Sequence, residues 1–163
     1  METAAPWLLG FLIVQRLAEL ILARRNTARL LERGAREVAP GHYPLIVLLH
    51  SAWIATLLWF GHDQPVHPGW LAVFAALQGL RVWILATLGE RWTTRIIVLD
   101  APLVAAGPFR YLRHPNYTLV VAEIAVVPLA LGLPLIALLF TLLNAAVLAI
   151  RIRAEDRALR GST

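Results

Sequence analysis

Long apolar runs broken by short arginine-bearing stretches set the pattern of this chain. Five runs approach the thickness of a hydrocarbon core: Trp7 to Ala23, Pro44 to Phe60, Gly69 to Leu88, Tyr117 to Leu133, and Leu135 to Ile150. Each is about 16 to 20 residues, the short end of the range for a helical span. The pattern predicts an all-α membrane protein of about five transmembrane helices. Little more than Pro134 separates the last two, so helices 4 and 5 are expected to form a tight hairpin, with Gly132 and Pro134 as its punctuation. No tandem repeat or low-complexity tract interrupts the series.

Composition agrees with this reading. Of 163 residues 59% are hydrophobic and 15% charged, and the mean hydropathy is +0.67, values that soluble domains rarely reach. The length predicts a single domain over residues 1–163. The net charge is +5, yet there is no long basic tract and no aromatic-interleaved polar surface, which argues against nucleic acid as a partner. The absence of cysteine excludes disulfides, thiolate metal sites and thiol nucleophiles. A cleaved signal peptide is not expected, because Glu2 precedes the first apolar run and its arginines follow it.

All fifteen basic residues are arginine, and their placement predicts a topology. Arg24, Arg25, Arg29, Arg33 and Arg36 lie between the first two spans, Arg91, Arg95, Arg110 and Arg113 between the third and fourth, and Arg151, Arg153, Arg157 and Arg160 in the tail. The intervening loop Gly61 to Pro68 has none. Five spans with the N-terminus outside and the C-terminus in the cytoplasm satisfy every segment, with a cytoplasmic loop at 89–116 and a cytoplasmic tail at 151–163.

That loop, at about 28 residues, is longer than idle connections usually are. It ends in Gly107-Pro108-Phe109-Arg110-Tyr111-Leu112-Arg113-His114-Pro115-Asn116-Tyr117. The plain reading is an interfacial anchor of aromatics and arginines. The alternative is an anion site: Pro115 can take the first helical position, leaving free backbone N–H groups and the positive helix end beside Arg113 and His114. In the tail, Asn144, Arg151 and Glu155 fall at offsets of seven and four residues and so share a helix face, with Arg151 and Glu155 within pairing distance.

Ionisable residues inside the runs need shielding or partners. Arg16 and Glu19, three apart, can neutralise each other. Arg81 and Glu123 lack such a neighbour and are expected to face the bundle interior, toward each other or His50, or to line a pocket. Trp83, two residues from Arg81, is the tryptophan singled out as a candidate pocket wall.

Taken together and in order, the two motif segments resemble the isoprenylcysteine carboxyl methyltransferase family. The resemblance rests on Gly107 to Tyr117, the hydrophobic hairpin, and Arg151-Ile-Arg-Ala-Glu-Asp156. It extends upstream through Gly34-Ala-Arg-Glu-Val38, His42-Tyr-Pro44, His50, Arg81, Trp83, Leu88-Gly89 and Trp92-Thr93, which are similar to the short bacterial branch. Asp156 departs from the commoner second glutamate, and Thr118 and Leu119 replace small residues that often follow the tyrosine.

The resemblance implies an integral-membrane enzyme, in a bacterial inner membrane, that moves a methyl group from S-adenosylmethionine to an oxygen of a lipophilic small-molecule or lipidated acceptor. The cofactor would lie at the cytoplasmic face and the acceptor would enter from the bilayer. Cofactor-binding candidates are Tyr111, Leu112, His114, Pro115, Asn116, Tyr117 and Glu155. Arg113, Arg151 and Glu155 are the catalytic candidates, with the two arginines offering planar donor forks to an anionic oxygen. His50, Arg81, Trp83, Glu123 and Asn144 are candidates for the acceptor pocket. A sulfonium donor is already activated, so no metal is expected; alignment, water exclusion and charge balance suffice. A carboxylate acceptor needs no base, whereas a phenol or enol would use Glu155 or a histidine. A phospholipid N-methyltransferase and a non-enzymatic membrane scaffold or transporter remain open alternatives. The site is expected to close between the two ends of the helix 4 and helix 5 hairpin.

Overall fold

Each apolar run folds as a helix: α1 Ala5–Glu32, α2 Tyr43–Gly61, α3 Pro68–Leu88, α4 Pro115–Ala130 and α5 Pro134–Arg160. The computed structural model describes residues 4–38 and 40–160, without the side chains of His42, Glu155, Asp156 and residues 158–160. Proline stands in the first turn of α1, α3 and α4, where its missing N–H forfeits no helical bond.

Two boundaries depart from the hydropathy pattern. α1 continues past Ala23 to Glu32 because Ala28, Leu30 and Leu31 sustain the helix among its arginines, and Asn26 and Leu30 are buried on the inner face. α4 begins at Pro115 rather than Tyr117 and stops at Ala130 rather than Leu133. Residues 131–133 form the hairpin turn, in which Gly132 takes φ +67 and the Leu133 N–H donates to the Pro128 carbonyl at 2.8 Å.

Four of these helices, α1, α2, α3 and α5, are long and apolar enough to cross a bilayer, so the chain is an integral membrane protein. The predicted fifth full span is a short helix instead. At 1.5 Å per residue α4 is about 24 Å long, less than the ~30 Å hydrocarbon core. It is the interior helix: Leu119, Glu123, Ile124, Val126, Val127 and Ala130 are all buried, with α3 and α5 packed against it.

The main apolar cluster gathers Leu9, Leu12, Trp53, Leu57, Ile124, Val127 and Leu131 at the arginine-poor end of the bundle. At the other end the arginine-bearing segments meet. Arg36–Glu37 (β1) pairs antiparallel with Ile97–Val98 (β2), setting Arg36 opposite Val98 and Glu37 opposite Ile97. This two-residue clip, absent from the hydropathy pattern, joins the first connecting segment to the long loop. Buried Asn26 makes a second tie, its Nδ2 donating to the carbonyls of Gly89 (3.1 Å) and Trp92 (2.8 Å). The loop is thus a folded cap with short 3-10 turns at Gly89–Arg91 and Gly107–Arg110.

Candidate active site

Between the apolar cluster and the cap lies a layer of paired charges. Arg16 donates to Glu19 (3.0 Å) and to Glu123 (2.7 Å), while Arg81 binds both Glu19 and Glu123. Gln78 adds a bond to Glu123 at 2.8 Å. Glu123 is 0% exposed and Arg81 4%. Two arginines and two glutamates share their charges here, the condition under which such groups are tolerated in lipid. The expected Arg16–Glu19 pair is present, and the Arg81–Glu123 contact is direct.

Above this layer an inner cavity of about 190 Å³ opens among all five helices and the cap. Arg16, Glu19, Arg81, His50 and Asn144 line its deep part, and Ile46, Val47, Ile54, Val120, Val147 and Leu148 its sides. His50 Nδ1 is held by the Ile46 carbonyl at 2.9 Å; a carbonyl only accepts, so this nitrogen carries the hydrogen.

A second, outer cavity of about 500 Å³ lies under the cap. Leu30 and Leu88 contribute from helix ends, Trp92, Thr93 and Arg95 to Val98 from the loop, and Phe109, Arg113 and His114 from the segment entering α4. Trp92, Thr93, Asn116, Tyr117 and Arg151 line both cavities and form the boundary between them.

That boundary is well determined by hydrogen bonds. Arg151 Nε donates to the Tyr117 hydroxyl at 3.0 Å and its Nη1 to the Thr94 carbonyl at 2.8 Å, so the guanidinium is fixed by α4 and by the loop at once. The His114 and Tyr117 rings stack at 5.3 Å with an 18° interplanar angle, and the Arg151 guanidinium lies 5.3 Å from the Tyr117 ring centre. Arg95, bonded by Glu37 at 2.9 Å, sits over the Tyr43 ring at 4.5 Å and closes the neighbouring wall.

The α4 N-terminus differs from expectation in one respect. Pro115 does occupy the first turn and His114 is the N-cap without a side-chain capping bond. However, the N–H groups of Tyr117 and Thr118 both donate to the His114 carbonyl at 3.1 Å, which leaves the Asn116 N–H as the one without a backbone partner among the described residues. The anion-binding capacity there rests on that group, the helix dipole and Arg113.

Gly107 shapes the cap over this end. It has φ +54, and a Cβ there would lie 2.5 Å from Thr87 Oγ1 and 3.1 Å from Trp83 Nε1. The Gly107–Arg110 turn therefore rests directly on the last turns of α3.

Of the sequence candidates, Arg113, His114, Asn116, Tyr117, Arg151, His50, Arg81 and Asn144 line one or both cavities. Pro115 is buried beneath them, and Glu123 sits behind Arg16 and Arg81 rather than on a cavity wall. Tyr111 (77% exposed), Leu112 and Trp83 (50% exposed) point away from both cavities. Trp83 is thus a support for the Gly107 turn, not a pocket wall. The Glu155 and Asp156 side chains lie outside the described residues. Tyr43, Thr94, Arg16 and Glu19 were not singled out as site residues, although they line the inner cavity. Tyr43 stood inside the quoted His42-Tyr-Pro44, and Thr94 directly followed Trp92-Thr93.

Helices of crossing length thus enclose one cavity within the bundle and a second at its arginine-bearing end, the two sharing a wall, an arrangement of an integral membrane protein with internal pockets. The chain belongs to the isoprenylcysteine carboxyl methyltransferase family of membrane methyltransferases, which matches residues 70–161, from α3 through α5. It is also similar along most of its length to the uncharacterized protein YpbQ of Bacillus subtilis (strain 168), with 40% identity over 162 residues covering 94% of this chain and 96% of that one. No solved structure matches the chain.

Proposed function

We propose that the protein is an S-adenosylmethionine-dependent O-methyltransferase that modifies a carboxylate, phenol or enol oxygen of a lipophilic acceptor. The observation that carries this reading is the wall shared by the two cavities: a donor in the outer one and an acceptor in the inner one would meet at Tyr117 and Arg151.

The outer cavity suits the donor. Its volume of about 500 Å³ falls within the ~300–1,000 Å³ usual for small-molecule sites. Arg113 and the α4 N-terminus would take a carboxylate, and Ile96, Ile97, Val98 and Phe109 supply an apolar wall for a flat base. The Tyr117 face would favour a cationic centre by about 0.5–2 kcal/mol. When bound, this cofactor supplies a methyl group already activated on a positively charged sulfur.

The protein's own work is then to orient, neutralise and exclude water. Arg151, held by Tyr117 and Thr94, presents a fixed guanidinium edge at the boundary for an acceptor oxygen, and Glu155 is one turn further along α5. A carboxylate acceptor gives up no proton; a phenol or enol must lose one, for which Glu155 is the base. With the arginine-bearing end in the cytoplasm of a bacterial inner membrane, the outer cavity meets the soluble cofactor and the inner one the bilayer.

Calorimetry of the purified protein in nanodiscs with S-adenosylmethionine, followed by transfer of labelled methyl to a total lipid extract, tests the proposal. Binding followed by a labelled lipid methyl ester or methyl ether is expected. No binding across several detergents and nanodiscs, or label only on phospholipid amines, would overturn it.

A further inference from the structure

The deep end of the inner cavity holds hydrogen-bonding capacity that methyl transfer at Arg151 does not use. Four buried side-chain atoms lack partners among the described residues, and two of them, Asn144 Nδ2 and Arg16 Nε, belong to residues lining this cavity. Asn144 is 4% exposed, and its amide stands in α5 among residues that are otherwise apolar from Leu142 to Ile150. An unsatisfied buried amide is costly, so its presence points to a partner that arrives with the ligand.

Three helices place polar groups at one depth. Asn144 precedes Arg151 by seven residues on α5, Glu123 follows Tyr117 by six on α4, and His50 follows Tyr43 by seven on α2. Each separation is about two turns, or ~10 Å along a helix. Tyr117, Arg151, Thr94 and Tyr43 are linked by hydrogen bonds at the upper level, the last of them at 3.5 Å, so the lower groups form a second tier beneath them. The tier offers donors from Asn144 and Arg16, and from His50 the ring nitrogen opposite the one bound to Ile46.

We infer that this tier is a second recognition site, centred on Asn144, for a hydroxyl or carbonyl oxygen of the acceptor. The inference rests on the proposed methyl-transfer reading and narrows its substrate class. The acceptor then carries two oxygen functions, one at the Arg151–Tyr117 boundary and one reaching the tier below. A head with a bare alkyl or prenyl chain at its inner end would leave the amide unpaired and set hydrocarbon against Arg16, Arg81 and His50. Its apolar tail instead leaves sideways along Val47, Leu20 and Ile54.

The test uses the full-length protein in phosphatidylethanolamine and phosphatidylglycerol nanodiscs, a labelled methyl donor, a total bacterial lipid extract as acceptor source, and the variants Asn144→Leu and Asn144→Ser. Mass spectrometry of the labelled product is expected to show a second hydroxyl or carbonyl beside the methylated function. With that acceptor purified, Asn144→Leu should raise KM at least tenfold with donor affinity unchanged, and Asn144→Ser should raise it less. The ligand-free Asn144→Leu protein should melt no lower than the parent, because it loses an unpaired buried amide; a merely structural asparagine would lower it. A product whose methylated function is its only oxygen function, an unchanged KM, or a lowered melting temperature overturns the inference. Loss of donor binding in the unmodified protein would instead bring down the methyl-transfer reading and this inference with it.

Discussion

Arg151 Nε donates to the Tyr117 hydroxyl across 3.0 Å, joining the arginine-bearing ends of α4 and α5, the two arms of the hairpin. Because the same guanidinium also holds the Thr94 carbonyl, neither helix end can shift without disturbing the loop that covers the outer cavity. The pair aligns the two binding spaces, and its loss should be felt in catalysis before it is felt in folding.

Arg151→Lys keeps the charge but not the planar fork, so it cannot hold Tyr117 and Thr94 together. Methyl incorporation is expected to fall about 100-fold or more, an effect on the order of 3 kcal/mol. Tyr117→Phe removes the charge-assisted bond from Arg151, about 1.5–3 kcal/mol, and should cost about tenfold or more. Radiolabel transfer measured at saturating donor reads both.

His114 stacks on Tyr117 yet makes no capping bond to α4. His114→Ala should therefore leave the melting temperature close to the parent while weakening donor affinity several-fold by calorimetry. Unchanged affinity would remove His114 from the cofactor site.

Glu123 neutralises Arg16 and Arg81 in a fully buried setting. Glu123→Leu leaves Arg16 and Arg81 to share Glu19, with one buried positive charge uncompensated, a loss of about 3–5 kcal/mol by analogy with other buried pairs. Arg81→Met introduced alongside should recover part of it, giving a coupling that a double-mutant cycle in thermal melts can measure.

At Gly107 both the backbone and the space are restrictive. Gly107→Ala should cost about 1–3 kcal/mol through its positive φ, and a further clash with Thr87 would lift the cap off α3. Lower donor affinity is expected together with faster proteolysis in the 99–110 segment. Adding Thr87→Ala should relieve the clash but not the backbone strain.

The helices, the hairpin and the polar motif at its ends were legible in the sequence because length, hydropathy and proline placement act locally. The Arg16–Glu19 pair was legible for the same reason, being three residues apart on one helix. Which way a side chain faces was harder to read: helices apolar on every side carry no stripe to mark the interior. Trp83 and Tyr111 accordingly lie outside the cavities, and Arg16 finds Glu123 from 107 positions away. The β1–β2 clip was invisible because two residues leave no period. Thr94 was missed because it contributes a carbonyl, which no side-chain motif records.

The charge layer also bears on how the chain enters the bilayer. Arg16 and Glu19 form a neutral unit within α1, so this helix, made before α3 and α4, can be handed to lipid ahead of those partners. Arg81 and Glu123 have no such companion on their own helices; they meet each other when α3 and α4 pair, and reach Glu19 and Arg16 when that pair docks against α1. The early helix therefore acts as a waiting receptor for the later ones, and the order of synthesis becomes an order of assembly.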